Sequence, residues 1–142
     1  MAKLAVADVD AVLFQTTLRV QVGDVNYGGH LANDAVLRLC HEVRMRWLAG
    51  LGWSETDAGS AGLIMADAAV QYLAQGFYGD EMSAEMGVED IGKGGFALLF
   101  RLTRITDGKV LARARTGMVC FDYVRQKVCR LPEALKTVLE VV

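Results

Sequence analysis

The chain is short of the residues that mark metal, redox and export chemistry. Its two histidines, His30 and His41, show no His-x-x-x-His spacing and no accompanying carboxylate cluster, so the sequence carries no metal motif. Three cysteines, Cys40, Cys120 and Cys129, form an odd set at no metal-ligand spacing. Each sits among apolar residues and reads as a reduced small hydrophobe. Positive charge is not in excess: 15 Lys+Arg stand against 17 Asp+Glu, for a net charge of -2. That excludes the broad basic surface needed for sequence-independent binding to nucleic acid or anionic membrane. No apolar run approaches ~20 residues, and acids interrupt the first ten, so neither a membrane span nor a signal-peptide core is expected. The expected location is cytoplasmic, and the expected partner is a small molecule or another protein.

Two familiar catalytic loops are also missing. Gly59-Ser60-Ala61-Gly62 lacks the spacing of a serine-hydrolase elbow. Gly92-Lys93-Gly94-Gly95 lacks the spacing of a phosphate or dinucleotide loop and falls between two strand-like runs, where it reads as a hairpin turn.

What is present is one domain's worth of apolar pattern. The 142 residues are 53% hydrophobic, above the roughly 45–50% usual for soluble domains. One domain over 1–142 accounts for the length, and the surplus points to an interface between copies. Residues 12–22 alternate Leu18, Val20 and Val22 against Arg19 and Gln21, the period of a half-buried strand. A loop rich in Gly, Asp and Asn follows over Gly23–Asn33. Val36, Leu39, Cys40, Val43 and Trp47 then fall at i, i+3, i+4, i+7 and i+11, predicting a helix from Asn33 or Asp34, as caps, to about Ala49. Four strand-like runs come next, Leu63–Leu73, Met82–Glu89, Phe96–Ile105 and Val110–Tyr123, and Pro132 opens a short helix over Glu133–Val141. The expectation is an α+β domain in which an antiparallel meander of about five strands wraps one long helix. Its open edges favour at least a dimer.

The strongest candidate site is the loop Asp24-Val25-Asn26-Tyr27-Gly28-Gly29-His30. It sets polar side chains and exposed N–H donors ahead of a helix N-terminus, where a developing oxyanion can bind. A capped strand-to-helix turn has the same composition.

This loop, Gly-Asp-Val-Asn-Tyr-Gly-Gly-His-Leu-Ala-Asn, with the helix segment His41-Glu42-Val43-Arg44, resembles the 4-hydroxybenzoyl-CoA thioesterase-like branch of the hot-dog acyl-CoA thioesterases. Val70-Gln71-Tyr72-Leu73, Tyr78-Gly79-Asp80-Glu81-Met82, Ala112-Arg113-Ala114-Arg115-Thr116 and Arg130-Leu131-Pro132-Glu133 continue the likeness in order and spacing from about Leu18 to Glu133. The resemblance implies a hot-dog fold, dimers or dimers of dimers formed by sheet extension, and hydrolysis of an acyl-CoA, or acyl-carrier, thioester without metal or cofactor.

One departure bears on mechanism. The second Asp of the family's Asp-x-Asp, its usual catalytic carboxylate, is Asn26 here, and an amide is neither nucleophile nor base. Asp-x-Asn is similar to another hot-dog branch, the broad-range acyl-CoA hydrolases, in which an acid on the helix activates water. The resemblance then gives Asn26 the orientation of water or thioester, Glu42 the role of base, on its own or the other subunit, and Asp24 that of reserve base. Asp24 shares a face with Asn26 if the backbone is extended. His41 takes a position where other members place an acid. The N–H groups around Gly28, Gly29 and His30 would polarise the carbonyl, and His30 is a further candidate proton carrier. Tyr27 and Tyr72 are candidate walls of an acyl pocket. Lys93, Gly94 and Arg130 are candidate contacts for the CoA phosphates, with Arg125 and Lys127 nearby. The competing reading is a binding module that holds acyl-CoA without turnover, since the usual Asp is absent.

Overall fold

A computed structural model describes residues 4–142. Strand β1 (Phe14–Arg19) leads through a 3-10 turn at Val22–Asp24 to helix α1 (Asn33–Gly50). Strands β2 (Gly62–Tyr72), β3 (Glu81–Glu89), β4 (Gly95–Arg104), β5 (Val110–Asp122) and β6 (Lys127–Val128) follow, then helix α2 (Glu133–Leu139). The six strands form one antiparallel sheet in the order β1-β3-β4-β5-β2, with β6 added to β5.

The long helix wrapped by the sheet is the expected architecture, with three differences. The meander is confined to β3, β4 and β5; β2 crosses to the far edge and pairs β5 from Gly62↔Phe121 to Tyr72↔Ala112. Alternation shows that a strand is half-buried but not which neighbour it takes. The connection after β2 runs across the end of the sheet, pinned where Leu73 and Ala74 N–H donate to Leu111 O and where Gly79 N–H donates to Val20 O. The first strand is also shorter than residues 12–22, because the Asp24 carboxylate accepts the Gln21 N–H at 2.9 Å and curls the chain into the 3-10 turn. Finally, Asn33 is the first helical residue rather than a cap; Ala32 precedes it and offers no side-chain cap. The helix stops at Gly52, whose φ of +75° lies in the left-handed region where a Cβ is costly.

The stripe read from the sequence is the buried one. Val36, Leu39, Cys40, Val43, Trp47 and Leu48 pack on Met82, Met86, Leu98, Phe100, Leu102, Ala114 and Met118 from the sheet. Burying a side chain the size of Phe100 contributes about 2–3 kcal/mol, so this contact between helix and sheet dominates the stability. No described helix is long and apolar enough to cross a membrane. Among the described residues no strand pairs the outer edge of β2, where Leu63 N–H donates to Glu55 O, and the strand exposes Ile64 and Met65.

Candidate active site

Where β1 leaves the sheet, the chain must reach the start of α1 in a few residues. Gly29, at φ +81°, permits the tight turn in which its N–H donates to Asn26 O at 2.9 Å. Asn26 closes the same turn from its side chain, with Oδ1 accepting the His30 N–H at 3.1 Å. That leaves the Asn26 Nδ2 group as its free donor. Asn26 N–H donates in turn to His30 O, and Leu31 N–H to Gly76 O, so the loop is fastened to the segment that follows β2.

The loop forms one wall of a cleft of about 390 Å³. Asn26, His30 and Asn33 face Tyr72 and Gln75 across it, and Val36, Leu73 and Leu111 make its apolar lining. Tyr72 donates its hydroxyl to Asn33 O at 2.9 Å and so ties the end of β2 to the first turn of α1. The His30 ring stands edge-on to Phe77, with centroids 5.4 Å apart. With Ala32 providing no side-chain cap, the Asn33 and Asp34 N–H groups at the start of α1 have no partner among the described residues, and Asn33 lines the cleft. Of the loop donors, Gly29 and His30 N–H are spent inside the turn, while Gly28 N–H has no partner among the described residues.

The carboxylates singled out from the sequence lie elsewhere. Asp24 and Glu42 line a second cavity with Leu18, Arg38 and Arg46. Asp24 is buried and held twice, by the Gln21 N–H and by Arg38 at 3.3 Å. The expectation that Asp24 and Asn26 share a face fails, because Asp24 ends the 3-10 turn instead of lying in extended chain. Glu42 is paired to Arg46 at 2.7 Å, and Arg46 also donates to Thr17 O in β1. On the other flank of the helix, His41 meets Glu55 at 3.2 Å, and Glu55 also holds the buried Arg44 at 2.6 Å.

Tyr27 projects fully into solvent, away from the cleft lining. Lys93 and Arg130 do come together, in a cavity of about 400 Å³ that they share with Lys136 and Glu133. Gly94 is outside that lining and instead accepts the Cys120 N–H through its carbonyl. Among the described residues, no three potential metal-ligating side chains stand together. Phe77, Asn33, Leu111 and Val36 were not singled out as site residues. Leu111 and Val36 read as core positions, and only the sheet crossing brings them to the loop.

A family model described as the thioesterase-like superfamily matches residues 20–139. The chain is 26% identical over 132 residues to a 1,4-dihydroxy-2-naphthoyl-CoA hydrolase of Synechococcus elongatus, a match covering 90% of this chain and 94% of that protein. Among solved structures, a 1,4-dihydroxy-2-naphthoyl-CoA thioesterase from Synechocystis has a TM-score of 0.81 at 22% identity, covering 91% of this chain and 96% of that one. A gentisyl-coenzyme A thioesterase has a TM-score of 0.77 at 18% identity, covering 89% and 99%. The structural matches carry the hot-dog fold, and the family model spans most of the chain, so this chain belongs to the thioesterase-like superfamily.

Proposed function

We propose that the protein hydrolyses an acyl-CoA thioester in the cleft between the Asn26–His30 loop and the end of β2. The observation that carries this reading is the convergence of Asn26, His30, Tyr72 and the open end of α1 on one cleft with an apolar lining. Asn26 Nδ2 orients the attacking water or the thioester. His30, on the same cleft wall, is the proton carrier. The first N–H groups of α1, beside the cleft residue Asn33, polarise the carbonyl, since the helix end favours negative charge. Leu73, Leu111 and Val36 hold the acyl group, and the Tyr72 ring suits a flat aromatic one. The Synechococcus relative is named for a substrate of that kind, a naphthoyl-CoA.

Two expected contributors require a second copy. Lys93 and Arg130 stand at the Val119 end of β5 and the cleft at its Ala112 end, roughly 23 Å away at about 3.3 Å per residue. Antiparallel pairing of β2 with β2 of another copy brings the cation end of one chain toward the cleft end of the other. The unpaired edge and its exposed Ile64 and Met65 support such a homodimer. Glu42, tied to Arg46 and facing a different cavity, would act as base only from a second chain.

Thiol release from short, long and aromatic acyl-CoAs tests the reading. Turnover concentrated on aromatic esters is expected. Saturable binding of acyl-CoA with no turnover of any ester would overturn it in favour of a non-catalytic binding module.

A further inference from the structure

We propose that Cys120 and Cys129 form an oxidisable dithiol, a covalent modification site that closes to a disulfide when a peroxide is the oxidant. The β5–β6 register pairs Phe121 with Val128 and Asp122 with Lys127. One step further, Cys120 stands directly opposite Cys129, and Cys129 N–H donates to Cys120 O at 2.9 Å. That single bond holds the pair, since Cys120 N–H goes to Gly94 O, and opposed residues of an antiparallel ladder have Cα atoms about 4.5–5.5 Å apart, inside the roughly 4.4–6.8 Å that a disulfide spans. Both side chains leave the sheet on the same face. Cys120 is fully buried in the core, while Cys129 is half-buried, packs on that core and lines an open cavity with Asp57, Ser60 and Arg130. One thiol is therefore within reach of a small oxidant, and the other waits behind it.

The roles follow from that asymmetry. Burial, with Cys129 close by, pushes the Cys120 thiol up to about 11, so it stays protonated at neutral pH. Cys129 is the sulfur that attacks hydrogen peroxide; the O–O bond breaks, Cys129 becomes a sulfenic acid and water leaves. Cys120 then attacks the Cys129 sulfur, its proton leaves with the displaced hydroxide as a second water, and the S–S bond forms. Two electrons pass from the thiol pair to one peroxide. The bond would fix to β5 the segment after β6 that carries Arg130, where Leu131 N–H already donates to Lys93 O. The pair sits at the end of β5 away from the Asn26 cleft, so this inference stands apart from the proposed reaction.

Peptide mapping tests it on the full folded chain. Cleavage after Arg115, Arg125, Lys127 and Arg130 puts Cys120 in Thr116–Arg125 and Cys129 in Val128–Arg130. After hydrogen peroxide, thiol blocking and digestion without reductant, the expected product is these two peptides linked, lighter by two hydrogen atoms and separated again by dithiothreitol. Dimedone present during oxidation is expected to label Cys129 and reduce the linked product, and Cys129→Ser is expected to give neither. Recovery of Cys129 only as sulfinic or sulfonic acid would overturn the proposal. So would a bond to Cys40, or a Cys120 to Cys129 link that forms only in denaturant.

Discussion

The His30 ring packs edge-on against Phe77 while its backbone N–H is held by Asn26 Oδ1, so one residue of the loop is fixed at both its main chain and its side chain. Phe77 is half-exposed and adds little to the core. Its removal should free the imidazole without unfolding the chain. Phe77→Ala is expected to lower kcat by about tenfold and broaden its pH profile, with a melting temperature close to that of the native protein.

Asp24 acts in this account as a fastening rather than a base. Its carboxylate accepts the Gln21 N–H and the Arg38 guanidinium, and its backbone carbonyl accepts the Ala32 N–H. Asp24→Ala leaves a donor at the turn without its partner and is expected to cost about 1–2 kcal/mol in urea unfolding. Asp24→Asn keeps an oxygen for Gln21 and should recover most of the stability and most of the turnover. Full stability with turnover abolished in Asp24→Asn would make the charge itself catalytic.

Thr116 is buried on β5, and its hydroxyl has no hydrogen-bond partner among the described residues. A buried hydroxyl without a partner opposes folding. Thr116→Val, nearly equal in shape, is expected to raise unfolding free energy by about 1 kcal/mol in urea titration. A loss of that size would show that the hydroxyl is satisfied in solution.

Acid should weaken the turn between β4 and β5. Hydrogen bonding from Arg104, aided by the Lys109 N–H, lowers the Asp107 carboxyl from 3.8 to about 2. A carboxyl depressed in the folded state contributes stability that is complete above its unfolded pKa and is lost as pH falls through its folded pKa, here between about 4 and 2. Asp107→Asn is expected to show a shallower loss of stability over that window by thermal melts at stepped pH.

The strong periodicities carried most of the fold. The stripe from Val36 to Trp47 locates α1, and the alternating runs locate β2 to β5 to within a few residues. The crossing of β2 to β5 was not legible, because alternation is the same whichever strand lies alongside. The two-residue β6 is too short for any period. At the site, the loop chemistry singled out Asn26 and His30, and Tyr72 was a candidate pocket wall; the three share a cleft. Asp24 and Glu42 have side chains of catalytic type, but their direction is set by a 3-10 turn and by Arg38 and Arg46, partners that composition alone does not reveal.

The most direct test of the Asn26 and His30 cleft compares kcat/KM of Asn26→Ala, His30→Gln and Glu42→Gln on the best acyl-CoA of the panel. The account predicts losses of about 10²-fold or more for Asn26→Ala and His30→Gln, with Glu42→Gln within a few-fold of the native protein. Collapse in Glu42→Gln with His30→Gln unaffected would contradict it and place the base on the helix of a second chain.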